Sequence, residues 1–333
     1  MNIYDIAKEA GVSIATVSRV LNGSSKVKES TRTRIEEILQ RNRYAPSVFA
    51  RGMVSGSMRS VGVLTIDVRD IYYGTVTYAV EHAFLEEGYN TVLCNTGGLP
   101  ERQLHYLSLL TAKQVDGIIL VGSAFKDQGL ESALREVSTD IPVVMLNRKL
   151  EGENIRSVIC DEKQGTADCV AHLAAAGHSG IRYVQDTNTY SAIRKLEGFK
   201  AGMAAAGLEL EPHSIIETVK GFAGGVSAAE SLGGADFTAL MTGDDLTAAG
   251  VCKGLRRIGR VPGGDTAVTG FNDSIIALST DPELTSVDNR AEEMGKTAAA
   301  LLCRLLSGGD VPEVTILEPK LTIRASTRLV QDR

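Results

Sequence analysis

The sequence predicts an α/β protein that carries a small all-helical head. Three observations lead there. Charge is split along the chain: residues 1–59 hold ten Lys/Arg against five Asp/Glu, whereas residues 60–333 hold twenty-five against thirty-six. The first forty residues show helical periodicity broken by turn signals. From Val61 onward, short apolar runs alternate with amphipathic helical patterns, the signature of a sheet covered by helices. At 333 residues, with 43% apolar and 23% charged, the chain has the composition of two or three globular domains.

In the head, Ile3, Ile6, Ala7 and Ala10 fall at i, i+3, i+4 and i+7, one face of a helix. Gly11 permits the left-handed turn that ends it. Ser13 can cap a second helix, with Val17, Val20 and Leu21 as its apolar stripe and Ala15, Ser18, Arg19 and Asn22 on another face. Gly23 stops that helix. A third helix is predicted over 30–41, with Ile35, Ile38 and Leu39 inward. Two short helices joined by a tight turn and braced by a third make a helix-turn-helix, whose second helix fits the major groove. Arg19 can bond guanine O6 and N7 bidentately, Ser18 and Asn22 can reach phosphates or base edges, and Ile14 and Ala15 offer apolar contact. A solvated three-helix bundle without a ligand is the bland alternative.

In the body, strands are predicted at 61–65, 91–95, 117–121, 143–146, 157–160, 181–184, 239–242 and 267–270. Helices are predicted at 76–87, 102–112, 164–176, 193–206, 246–258 and 292–306. Runs that are apolar on both faces argue for parallel sheets. About 270 residues is long for one open sheet, so two sheets are expected, with a single eight-unit barrel as the structural competitor.

Several classes are disfavoured. No apolar run is long enough to span a membrane. The N-terminus enters an amphipathic pattern without a signal-like apolar stretch, which predicts a cytoplasmic protein. Five scattered cysteines without CxxC point to reduced thiols, and no histidine has zinc-ligand spacing, so neither metal nor other cofactor is expected. The motifs GxxxxGK[ST], GxSxG and a GxGxxG after a strand are missing, which argues against an enzyme. Asp67, Asp70, Asp161, Asp244 and Asp245 could do acid–base work, but hydrogen bonding to ligand hydroxyls is the simpler reading.

The run Ile3-Tyr4-Asp5-Ile6-Ala7-Lys8-Glu9-Ala10-Gly11-Val12-Ser13-Ile14-Ala15-Thr16-Val17-Ser18-Arg19-Val20-Leu21-Asn22-Gly23 closely resembles the DNA-binding headpiece of the lactose-repressor (LacI/GalR) family of bacterial regulators. Tyr44 to Arg51 looks like that family's hinge helix. The resemblance implies DNA contacts from Ser13, Ile14, Ala15, Thr16, Ser18, Arg19, Asn22 and Arg51. It also implies a minor-groove wedge from Met53, where the family usually has leucine. Pro46 suits a first helical turn. A helix this short is marginal alone, so it is expected to order on DNA beside its partner's copy.

The resemblance continues through Leu85-Glu86-Glu87-Gly88-Tyr89, Val115-Asp116-Gly117-Ile118-Ile119, Glu197-Gly198-Phe199, Val268 to Asp273 and Glu293-Met294-Gly295. It implies a body similar to periplasmic sugar-binding proteins, with two Rossmann-like subdomains and a ligand between them. The expected domains are a headpiece at 1–45, a hinge helix and linker at 46–59, an N-subdomain at 60–160 plus 290–319, and a C-subdomain at 161–289 plus 320–330. Effector contacts implied position by position are Tyr72, Tyr73, Ser123, Asn147, Asp161, Ser191, Lys195, Phe222, Asp244, Asn272 and Asn289. The family usually has Arg where Lys195 stands, with Arg194 adjacent, and Asp where Asn272 stands.

The expected function is a sequence-specific transcription repressor of carbohydrate-utilisation genes. It would bind palindromic double-stranded operator DNA as a homodimer, under control of a sugar-like effector. Control by a partner protein or a non-sugar ligand (nucleobase, sugar acid or sugar phosphate) is the alternative. The chain ends soon after Thr327 without a leucine heptad, which predicts a dimer rather than a tetramer.

Overall fold

The computed structural model describes residues 2–21, 24–42 and 57–327. The chain divides into two compact units, Met1–Arg59 and Ser60–Arg333.

The first unit holds α1 (Ile3–Ala10), α2 (Ile14–Leu21) and α3 (Glu29–Arg41). Asn2 and Asp5 form a reciprocal capping box at α1: the Asn2 side chain accepts from the Tyr4 and Asp5 amides, and Asp5 accepts from the Asn2 amide. Gly11 ends α1 at φ 66°, the left-handed value that a glycine adopts without strain. The Ser13 hydroxyl accepts from the Thr16 amide and starts α2. Ile6, Ala7, Ala10, Val17, Val20, Ile35 and Ile38 close a miniature core between the three helices.

The second unit contains two six-stranded sheets. The first takes the order β11-β5-β4-β3-β1-β2, wholly parallel, from β1 (Ser60–Thr65), β2 (Asn90–Asn95), β3 (Gly117–Val121), β4 (Val143–Leu146), β5 (Ile155–Cys160) and β11 (Val314–Leu317). The second takes the order β12-β10-β9-β8-β6-β7, from β6 (Ile181–Gln185), β7 (Ile215–Glu217), β8 (Ala239–Thr242), β9 (Ala267–Phe271), β10 (Thr285–Asp288) and β12 (Lys320–Thr322). Only β12 runs antiparallel to its neighbour.

Each sheet is covered on both faces. Two apolar clusters sandwich the first sheet, one built on Val61, Val63 and Met294 and the other on Leu64, Ile118 and Phe125. Two more sandwich the second. This is why β3, Gly-Ile-Ile-Leu-Val, is buried at every position and reads as a continuous apolar run. Two open sheets replace the barrel alternative. The chain passes between lobes three times: after β5, after β10, and between β11 and β12.

The helices that matter for the site are α4 (Ile71–Glu86), α7 (Glu162–Ala175), α8 (Tyr190–Ala205), α9 (Phe222–Glu230), α10 (Asp245–Arg257) and α12 (Ala291–Leu306). Helix α9 touches α10 backbone to backbone: a Cβ added at Gly250 would lie 2.1 Å from the Phe222 carbonyl oxygen. That contact fixes the loop leading into α9, which carries Lys220.

Candidate nucleic-acid interface and ligand cleft

On the first unit, α2 buries Val17 and Val20 and presents the opposite face outward. Ser13, Ile14, Ala15 and Arg19 are exposed, and Thr16 and Ser18 are half-exposed. Ile14 is 40% exposed and lies outside the headpiece core. Arg19 therefore stands on a surface it can offer to a groove. Asn22, Arg51, Met53 and hinge residues 46–56 lie outside the described residues.

On the second unit, a cleft opens where the carboxyl ends of both sheets face each other, the usual ligand position in doubly wound folds. From the first lobe it is lined by Asp70, Tyr72 and Tyr73 beyond β1, Ser123 beyond β3 and Asn147 beyond β4. From the second come Tyr183, Gln185, Asp186, Thr187, Thr189, Ser191 and Lys195 around β6 and α8, Lys220 beyond β7, Gly243 and Asp244 beyond β8, and Asn272 beyond β9. Glu162 and Asn289 sit on two of the crossings.

The floor is a hydrogen-bonded network. Asn147, at a left-handed φ of 52°, accepts from the Cys160 amide and donates to the Tyr72 hydroxyl at 3.0 Å. Tyr72 meets the Met294 sulfur and the edge of Tyr73. Ser191 donates to Glu162 Oε1, and Lys195 Nζ lies 3.9 Å from the same oxygen. Lys195 also donates to the Gly243 carbonyl at 2.8 Å and lies 3.8 Å from the Phe271 ring centroid. Burial holds the Glu162 carboxyl above the usual carboxylate range, against the opposing pull of Lys195 and Ser191. Burial also pushes the Tyr73 hydroxyl up to about 12. Asn289 donates to Asn272 Oδ1 at 2.8 Å. Such a site can satisfy several hydroxyls at once while aromatic rings cover C–H faces.

Among the described residues, no group of three His, Cys, Asp or Glu is arranged to hold a metal, and no helix is long and apolar enough to cross a membrane.

Residues 2–47 match the model of bacterial regulatory proteins of the lacI family, and residues 170–327 match a periplasmic binding protein-like domain. The chain is 34% identical to an HTH-type transcriptional regulator of Lachnoclostridium phytofermentans, over 98% of this chain and 99% of that protein. The chain belongs to the LacI family of bacterial regulatory proteins. Its fold agrees with a lac repressor dimer bound to operator and the anti-inducer ONPF (TM-score 0.89, 25% identity, 98% of this chain and 99% of that one). It also matches the transcriptional regulator CelR in complex with cellobiose (TM-score 0.74, 26% identity, 98% and 99% covered). This LacI-family chain is a ligand-responsive DNA-binding transcription regulator and not an enzyme.

Nine of the eleven cleft residues named from the sequence of this LacI-family protein line one cavity: Tyr72, Tyr73, Ser123, Asn147, Ser191, Lys195, Asp244, Asn272 and Asn289. Two do not. The Asp161 side chain turns back to accept from the Gln164 amide, capping α7, and pairs with Arg194 at 3.7 Å. It borders a separate small cavity. Phe222 opens α9 and lays its ring beside the Lys253 ammonium of α10, away from the lining. Between the adjacent cations, Lys195 is buried in the cleft, while Arg194 faces Asp161 and Glu197 outside it.

Sequence reasoning missed Glu162, Gln185, Asp186 and Lys220. Glu162 was hidden because the predicted helix began at Gln164; the helix starts two residues earlier and aims its first side chain inward. Asp186 stands just past β6, the place where strand ends deliver ligand contacts, and that position was the available signal. Lys220 follows the three-residue edge strand β7, too short to register as a strand.

Proposed function

We propose that this regulator represses carbohydrate-utilisation genes by binding a palindromic operator as a homodimer, and that a sugar-like effector in the cleft sets its operator affinity. The observation that carries the reading is the convergence of amides, hydroxyls, carboxylates and three tyrosines from both lobes on one cavity. The exposed face of α2, with Ser13, Ile14, Ala15, Thr16, Ser18 and Arg19, supports its docking in the major groove. Asn22, Arg51 and Met53 complete the proposed DNA contacts. Sheet membership supports subdomains at 60–160 plus 290–319 and 161–289 plus 320–330, between a headpiece at 1–45 and a hinge at 46–59. The protein works in the cytoplasm, where its operator is. A ligand that prefers one closure of the two lobes shifts the population of the operator-binding form by that preference.

The test is a dye-reported thermal-shift screen of the full chain, which has no Trp, against neutral sugars, amino sugars, sugar phosphates, sugar acids, polyols and nucleobases. Selection of duplexes from random DNA, with and without the hit, follows. A ligand at 100 times its Kd adds about 2.7 kcal/mol to the folded state. A sugar should raise Tm by several degrees and change affinity for the selected palindrome at least tenfold. A palindrome whose binding no compound alters would refute control through the cleft. Failure to select any duplex would refute the operator reading.

A further inference from the structure

The cations of the cleft are already engaged, and its carboxylates and one buried amide oxygen leave acceptors open. Lys195 and Lys220 are the two ammonium groups lining the cavity. Lys195 is held by the Gly243 carbonyl, Glu162 and the Phe271 ring. Lys220 Nζ lies 2.6 Å from Asp70 Oδ2. Each lysine thus has a carboxylate of its own.

Asp186 and Asp244 line the same cavity, and among the described residues neither lies in a salt bridge. Thr247 holds one oxygen of each: its hydroxyl donates to Asp186 Oδ2 at 3.0 Å, and its amide donates to Asp244 Oδ1 at 2.7 Å. Asp186 Oδ1 and Asp244 Oδ2 receive no donor from the described residues. Asp244 is nevertheless only 9% exposed. A third free acceptor is independent of these two. The Asn289 side chain is 1% exposed, its amide nitrogen is spent on Asn272, and its Oδ1 has no partner. A buried acceptor left open in a cavity calls for a donor on the ligand. Burial and the charge of Asp244 hold the Asp186 carboxyl above the usual carboxylate range, against the opposing pull of Thr247, Lys195 and Lys220.

We propose that the effector is a hydroxylated compound bearing a protonated amine, an amino sugar in chemical class, whose ammonium sits between Asp186 and Asp244 while a hydroxyl donates to Asn289. This rests on the cleft being the effector site. An ammonium bonded to two carboxylates makes charge-assisted hydrogen bonds and cancels their mutual repulsion. A neutral hydroxyl supplies a donor but leaves the repulsion in place. A phosphate or carboxylate would enter a cavity whose four carboxylates outnumber its two ammonium groups, both already paired.

The experiment is calorimetric titration of the full-length protein with matched sets built on glucose, galactose and mannose. Each set holds the neutral sugar, its 2-amino-2-deoxy form, the N-acetylated form and the 6-phosphate. In at least one set, the amine should bind ten times tighter or more than the neutral and N-acetylated members, with the phosphate weakest. The N-acetylated member keeps the nitrogen and removes its charge, so the comparison needs no variant. In Asp186→Asn, and separately in Asp244→Asn, the amine preference should fall below threefold. Binding of a neutral, N-acetylated or phosphorylated member as tight as the amine overturns the proposal and leaves the effector cleft standing. If no member binds while another compound of the thermal-shift screen does, the amine proposal alone falls. If nothing binds in either experiment, the effector reading falls with it.

Discussion

Lys220 Nζ stands 2.6 Å from Asp70 Oδ2, and the two residues belong to opposite lobes. Asp70 caps α4 of the first lobe through its other oxygen, which accepts from the Tyr72 amide. Lys220 leads into α9 of the second. A second crossing runs from Lys126 Nζ to Asn188 Oδ1 at 3.0 Å. These two contacts bridge the lobes across the cleft.

Lys220→Met tests that bridge. Both partners keep substantial contact with solvent, so the pair adds about 1 kcal/mol or less to stability. A double-mutant cycle with Asp70→Asn in denaturant should return a coupling of that size. Small-angle scattering of the ligand-free variant should nonetheless show a larger radius of gyration. Scattering identical to the parent would mean that other contacts hold the lobes.

Lys195→Met should be far more damaging. It leaves the Glu162 carboxyl, 3% exposed, without its cation. Breaking one side of a buried ion pair costs about 3–5 kcal/mol. Glu162→Gln in the same chain should recover much of that loss, because the uncompensated charge is gone. Urea unfolding of the single and double variants gives the comparison, and a double variant no more stable than Lys195→Met would sink it.

Asp245 makes a pH prediction. Burial pushes its carboxyl up to about 6, although Ser286 and Ser274 donate to it and pull the other way. The folded chain therefore keeps this proton to higher pH than the unfolded chain, whose carboxyl titrates near 3.8. Between those values the native state binds more protons, so this group's contribution to stability falls as pH rises and is level above the window. The full drop is roughly 3 kcal/mol. Asp245→Asn has no such titration. Its stability relative to the parent should climb as pH goes from about 4 to about 6, and parallel curves would refute the assignment.

Arg19→Ala should leave the headpiece folded, because the side chain is exposed on α2. Loss of a bidentate guanine contact costs about 1–3 kcal/mol and relaxes the preference at that base pair. Fluorescence anisotropy on the selected operator and on single-base variants reads both effects. A uniform loss across all sequences would make Arg19 a phosphate contact instead.

The sequence alone determined the helical head, because Ile3, Ile6, Ala7 and Ala10 repeat at the helical period and Gly11 and Ser13 punctuate it. It also determined the central strands, because β3 and β4 are buried on both faces and so are apolar throughout. It did not reveal the edge strands β7, β11 and β12, which are short and half-buried and carry no period of their own, nor the interior strand β10, whose Thr-Ser-Val-Asp sequence is buried but holds a single aliphatic side chain. In the cleft, Asn147, Asp244 and Asn272 were legible through the family resemblance, and they stand just past β4, β8 and β9, where ligand contacts gather in such folds. Only the tertiary structure decided between Asp161, whose carboxylate caps its own helix, and Glu162, one residue on, which points into the cavity. Only the structure paired Lys220 with Asp70 and left Asp186 and Asp244 outside any salt bridge among the described residues. The reason is physical. A repeating apolar period records which face of an element is buried, whereas the partner of a single charged side chain depends on which distant loops the packed lobes bring together.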